Sequence, residues 1–311
     1  MRLFYLTKPR DLMKKIICAV LMTTMLFCFA ACGKQEAPHT EGNSSSEVVY
    51  ETEDLNKTLD FDFDEQVIYE SKNIRVTALS VLSINPGIQF KIENLSDQTL
   101  SVAPENNGFI VNGLVVESNA SPCRIEPHAE ANMEIQMLEH FLRFSGIEKV
   151  QNVVMNWRAD TEGASFSDPP FESLHDMKLA SKTLGDDFTQ EFKTGEKVVY
   201  EKDGVRITYI GKDAYEQNGT VDCMLFSVEN NSDRDISLFA NKISVDGKAY
   251  RSDTQQNDGY APKTKGVLFV AAFAADSGEE VRFSGKASLE LSLVSAKPSL
   301  TREAFTFETT V

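Results

Sequence analysis

The chain has 311 residues, of which 41% are hydrophobic and 25% are charged, and its formal net charge is −16. This length allows two domains of ordinary size. A body this acidic repels the phosphate backbone of nucleic acids and anionic lipid headgroups, which excludes a nucleic-acid-binding role.

The N-terminal stretch predicts export. Met13-Lys14-Lys15 provides a positive start, and an apolar run of 16 residues follows from Ile16 to Ala31. A membrane-spanning helix needs roughly 20 residues, so residues 1–31 are interpreted as a removable signal peptide. Because Met-Lys-Lys opens many such signals, Met13 is the expected translation start.

The end of the apolar run predicts how the protein is held. Ala30 and Ala31 directly precede Cys32, and this pattern resembles the lipobox of bacterial lipoproteins. The resemblance implies cleavage between Ala31 and Cys32 and attachment of lipid, palmitate included, to Cys32. Two acyl chains anchor stably, so we expect an extracytoplasmic protein bound to the cell membrane through Cys32. The alternative is an ordinary secretory signal in which Cys32 stands by chance.

Residues 32–58 predict a flexible stalk, because this acidic and polar stretch has too few large apolar side chains to offset the entropy of ordering. Residues 1–31 carry five basic side chains and one acidic one, so their removal takes the net charge from −16 to −20. That charge keeps a tethered domain soluble.

The rest of the chain is an internal duplication. Residues 61–77 align without a gap on 192–208, and Phe90-Lys-Ile-Glu-Asn94 matches Phe226-Ser-Val-Glu-Asn230. The matches keep their order along the chain, which indicates two copies of one unit. We predict two domains, at residues 59–183 and 186–311.

Both copies predict an all-β fold. Apolar residues alternate with polar ones, as at Ile74 and Val76, which is typical of half-buried strands. Asn112-Gly113 and Asp246-Gly247 are dipeptides of two-residue hairpins, where both positions need positive φ. The apolar faces of two sheets must meet over one core. We therefore predict two tandem immunoglobulin-like β-sandwich domains after the signal peptide and stalk.

The first copy also resembles a known family. The resemblance rests on Val111-Asn-Gly113, on Pro127 before an alternating strand, on Leu142…Gly146-Ile147…Val150, and on Val153-x-Met155-x-Trp157. These motifs are similar to a widespread domain of Gram-positive surface lipoproteins, of the telokin-like, immunoprotective-extracellular Ig-like type. The motifs are structural, so the resemblance implies an Ig-like sandwich and brings no catalytic residues.

The sequence carries no recognisable catalytic or metal-binding motif. Asp60-x-Asp62-x-Asp64 opens like a calcium loop but lacks the Gly and Glu that an EF-hand requires, so an acid-out strand is the preferred interpretation. His140 belongs to one or two helical turns within 137–144, where a solvated face is expected. We therefore expect no enzyme activity, no cofactor and no metal site. Cys123 and Cys223 are either free or bridged between the domains.

Candidate binding residues are few. Trp157 shares the apolar face of a strand with Met155, which favours core packing. A polar loop contains Tyr250, Gln255, Asn257 and Tyr260, and loops at the end of a sandwich often bind partners.

The sequence leaves three hypotheses for the function of this chain. The first is a binding module for an envelope protein or wall polymer. The second is a structural spacer, or an accessory, chaperone-like subunit for an exported enzyme or transporter. The third, a remote alternative, is an enzyme whose site is hidden between the domains.

Overall fold

The computed structural model describes residues 59–165, 168–216, 220–255, 259–274, 281–295 and 301–310, without the side chains of 106–108, 216 and 253–255. The predicted signal peptide, the predicted lipid-attachment residue Cys32, the predicted stalk and the loop residue Asn257 all lie outside the described residues.

The first repeat forms two facing sheets, as predicted. One sheet has the order β1-β2-β3-β8-β6, and the other has the order β10-β9-β4-β5 with β7 on β4. Its elements are β1 (Gln66–Glu70), β2 (Ile74–Val81), β3 (Gly87–Asn94), β4 (Leu100–Val111), β5 (Leu114–Val115), β6 (Ser118–Asn119), β7 (Cys123–Ile125), β8 (Glu130–Met137), α1 (Glu139–Phe144), β9 (Asn152–Thr161) and β10 (Glu172–Ala180).

The second repeat has the same plan. Its sheets have the orders β11-β12-β13-β16-β15 and β15-β14-β17-β18, so β15 passes from one sheet to the other. Its strands are β11 (Lys197–Lys202), β12 (Val205–Glu216), β13 (Thr220–Asn230), β14 (Ile236–Val245), β15 (Lys248–Gln255), β16 (Thr264–Phe273), β17 (Lys286–Ser295) and β18 (Thr301–Thr310).

The alternating side chains fill the cores. Along β3 the buried positions include Phe90 and Ile92, which lie on one face of the strand. Trp157 of β9 is fully buried, with its ring centroid 4.9 Å from that of Phe90 in an edge-on contact. The predicted core position of Trp157 is confirmed.

The predicted hairpins are also present. Asn112 and Gly113 have φ of 52° and 81°, and Asp246 and Gly247 have φ of 49° and 78°. The two dipeptides form the turns that join β4 to β5 and β14 to β15. Their left-handed φ values are those that two-residue hairpin turns of this type require.

One buried asparagine in each repeat fastens a turn. The Asn94 side-chain amide donates to the carbonyl oxygens of Gln98, Ile125 and Glu126 at 2.7, 3.1 and 3.0 Å. Asn230 donates in the same way to three carbonyls, at 2.7, 2.8 and 3.0 Å; these belong to Arg234, Tyr260 and Ala261. The duplication therefore extends to individual hydrogen bonds.

The two repeats share a core. β5 of the first repeat pairs in parallel with Lys265 and Gly266 of β16. Rings from both repeats also meet: the ring centroids of Phe141 and Phe269 lie 4.9 Å apart. Buried side chains of β13 and β16 belong to the same apolar cluster as the first sandwich.

His140 lies within this junction, so its predicted solvated position is wrong. Its ring stacks on Tyr215 at 4.9 Å and contacts Phe269 edge-on at 5.4 Å. The predicted helical turns do exist as α1. The helical pattern of residues 137–144 could not show that the second repeat covers the face of α1 that carries His140.

The acidic segment 60–64 forms no strand, contrary to the prediction. Leu59 and Phe61 are buried as expected. The Asp62 carboxylate accepts hydrogen bonds from Ser181 and Thr183, and the Lys182 ammonium lies 3.0 Å from the Asp64 carboxylate. These side-chain contacts tie the segment to the end of β10 in place of a strand ladder.

Candidate functional site: a groove along β8

The predicted binding loop is only partly accessible. Tyr250 lies on β15, half-buried against the second core, with the Lys248 ammonium 5.1 Å from its ring centroid. Gln255 ends β15, and its side chain is among those not described.

Tyr260 is a core residue, and its prediction as a binding residue is corrected. Its side chain is fully buried, and burial raises the pKa of its hydroxyl. Its backbone pairs with that of Ile236, with nitrogen-to-oxygen distances of 2.6 and 3.1 Å. Its carbonyl accepts from Asn230, as that of Ile125 does from Asn94.

A groove of about 490 Å³ lies on the first repeat. One wall is β8, and the other is the segment that links β6 to β7. The lining residues are Asn119, Ala120, Ser121, Pro122, Cys123, Arg124, Asn132, Met133, Glu134 and Gln136.

The groove exists because the chain leaves the edge of β8 early. β6 pairs only with Met137 and Gln136. The chain then passes through Pro122, which has no N–H to donate to a ladder, and β7 pairs with β4 in the opposite sheet. Before Gln136, no described strand therefore pairs with this edge of β8; β7 lies close to it but pairs with β4.

Two hydrogen bonds show which backbone groups face the groove. The N–H of Met137 donates to Pro86 at 2.8 Å, and the N–H of Asn94 donates to Ala129 at 2.9 Å. Odd-numbered residues of β8 therefore hydrogen-bond towards β3. Because backbone direction alternates along a strand, the N–H and C=O groups of Asn132 and Glu134 point into the groove.

The side chains of the groove are mixed in character. Asn132 and Glu134 are exposed, whereas Met133 is buried in the core. Arg124 forms ion pairs with Glu126 and with Glu162, the latter at 3.1 Å.

Cys123 lines the groove as a free, half-buried cysteine, and Cys223 is free and buried in the second repeat. Burial raises the pKa of both thiols. Both are therefore protonated at neutral pH and are weak nucleophiles. Cys123 and Cys223 therefore form no disulfide bond with each other.

Two further features concern the part of the chain that the structure describes. Within it, no three His, Cys, Asp or Glu side chains converge as metal ligands. No helix in these ranges is long and apolar enough to cross a bilayer.

Sequence reasoning did not find the groove. The available signal was Pro122, which lies between β6 and β7, where the chain leaves the edge of β8. The groove depends on where the chain turns after β6. Neither the composition nor the alternation of apolar and polar residues predicts that turn.

Comparisons with known proteins find only weak structural similarity. No protein-family model matches the chain, and no curated protein matches it. Among solved structures, the YadV chaperone is 11% identical with a TM-score of 0.22, covering 72% of this chain and 92% of its own. A conserved domain protein from Bacillus anthracis is 11% identical with a TM-score of 0.24, covering 79% and 89%.

A third structure, the MSCRAMM ACE of Enterococcus faecalis, is described as binding its ligands by the collagen hug model. It is 10% identical with a TM-score of 0.19, covering 80% of this chain and 95% of its own. Likenesses this weak do not bear on the function of this chain.

Proposed function

We propose that this chain is a lipid-anchored, extracytoplasmic binding module that holds a partner protein of the cell envelope. The observation that carries the proposal is the groove along β8, where the backbone groups of Asn132 and Glu134 face away from β3 and pair with no described strand. The lipobox-like residues Ala31 and Cys32 supply the anchor, and the acidic stalk supplies reach. The resemblance to Gram-positive surface lipoproteins supports the location, and catalysis is not part of the proposal.

In-cell crosslinking of the tagged full-length protein tests this function. Mass spectrometry of the captured material should reveal a specific envelope partner, and the Cys32 peptide should carry lipid. An unmodified Cys32 peptide would refute the anchor. A lipidated protein that captures no specific partner would refute the binding function.

The shared core favours a second candidate, a rigid spacer or accessory subunit for an exported enzyme or transporter. Two sandwiches joined through β5 and β16 hold a fixed distance. Under this alternative, deletion of the chain lowers the activity of the supported protein, while substitutions in the groove have no effect. Under the binding function, groove substitutions reproduce the deletion.

A further inference from the structure

We propose that the groove binds an extended, basic segment of a partner protein, which adds to the edge of β8 as a further strand. This inference rests on the proposed binding function and names the mode of binding and the chemistry of the partner. Its basis is the edge of β8, the matching edge in the second repeat, and charge.

The matching edge in the second repeat is occupied. Phe90 and Phe226 are equivalent, and they pair with Met133 of β8 and Leu268 of β16. β15 pairs with β16 from Phe273 to Phe269, and β5 pairs with its residues 265 and 266. The stretch of β16 equivalent to residues 130–135 of β8 therefore pairs with β5 at one end and with β15 at the other, whereas no described strand pairs with it in the first repeat.

The open edge is long enough for a short strand. Between Glu130 and Ile135 no described strand pairs with β8 on this side. At about 3.3 Å per residue, this stretch spans roughly 20 Å. Strand addition uses backbone groups for affinity, and the groups of Asn132 and Glu134 already point the right way.

Charge selects the partner. Glu134 is exposed and forms no ion pair with another described residue, and the Glu130 side chain is 66% exposed with the Lys91 ammonium no closer than 3.9 Å. The one basic side chain that lines the groove, Arg124, is already paired with two glutamates. An added strand that carries Lys or Arg would therefore meet the exposed Glu134 carboxylate, which no described basic side chain pairs with, and the Glu130 carboxylate, which Lys91 approaches only to 3.9 Å.

The test uses the full-length protein in detergent and a labelled peptide, acetyl-Thr-Lys-Val-Lys-Val-Thr-amide, at low salt. Binding is measured by fluorescence anisotropy. Hydrogen exchange should slow within 130–136 when the peptide binds. The same peptide with Glu in place of Lys should bind at least tenfold more weakly. Equal binding of the two peptides would overturn the choice of a basic partner.

Two substitutions locate the site. Asn132→Pro removes the N–H that faces the groove and should weaken binding at least tenfold, whereas Asn132→Ala keeps it and should change binding less than threefold. Glu134→Lys should weaken binding at least tenfold. Its matched control is Glu201→Lys, at an exposed glutamate on β11, which should leave binding within twofold. If Asn132→Pro does not fold, Glu134→Lys still tests whether the peptide binds in the groove.

The outcomes separate the two proposals. If Asn132→Pro and Glu134→Lys bind the peptide like the unmodified chain, the groove is overturned. If the crosslinked partner is retained by both variants, the binding function stands and strand addition on β8 fails. Concentration-dependent dimers that Asn132→Pro abolishes would assign the edge to a second copy and overturn the partner protein.

Discussion

At the residue scale, His140 is held neutral by its surroundings. Burial among the rings at the junction, with a smaller contribution from Arg143, lowers its pKa from 6.5 to about 4. An unfolded chain protonates this histidine below about pH 6.5, whereas the folded chain does so only near pH 4. The stability that depends on neutral His140 is therefore present above pH 6.5 and is lost as the pH falls towards 4.

His140→Phe should remove that pH dependence, because it keeps an aromatic ring and deletes the titrating group. The shift corresponds to about 3 kcal/mol of unfolding free energy between pH 6.5 and 4. Urea unfolding at several pH values measures it. His175→Gln, at an exposed histidine, is the control and should keep the slope of the unmodified chain. An unchanged slope in His140→Phe would contradict the prediction.

Residues whose environment is set by their own strand were predictable. Trp157 shares a face with Met155, and the period of β9 alone places both in the core. Tyr260 and His140 were not predictable in this way. Tyr260 belongs to the core of the second repeat, and His140 is covered by rings of the other repeat, so both positions depend on residues far away in sequence.

At the element scale, the connection after β13 depends on Asn230. Asn230→Asp replaces an amide donor by a carboxylate that faces three carbonyl oxygens and cannot donate to them. We expect a loss of about 3 kcal/mol in unfolding free energy at neutral pH. Asn231→Asp, at the exposed neighbouring position, should cost little. Chemical denaturation of the two variants side by side gives the comparison, and equal stabilities would show that the clamp is unimportant.

The duplication predicted two copies of one β unit, but it did not predict which strands pair at the sheet edges. The hairpin at Asn112-Gly113 is encoded locally, because positive φ is needed at two adjacent positions. The split of the following chain into three short strands, β5, β6 and β7, is not encoded locally. It arises because Pro122 interrupts pairing and because β5 and β7 pair with one sheet while β6 pairs with the other. The candidate site arises from that division, which is why the predicted loop around Asn257 did not identify it.

At the scale of the whole molecule, the shared core predicts that the two repeats unfold together. Phe141 and Phe269, which meet at the junction, are fully buried, and neither repeat can expose its ring without losing that burial. The residues from 59 onward accordingly belong to a single compact unit.

Phe226→Ala tests this cooperativity from a distance. Phe226 is fully buried in the core of the second repeat, and the only tryptophan, Trp157, lies in the core of the first. The substitution should cost about 3–5 kcal/mol. If the repeats unfold together, Trp157 fluorescence and far-UV circular dichroism should shift to the same lower urea midpoint. Independent repeats would instead leave the Trp157 transition at its original midpoint while the dichroism became biphasic. Val67→Ala, at a residue 49% exposed on β1, is the control and should move neither probe.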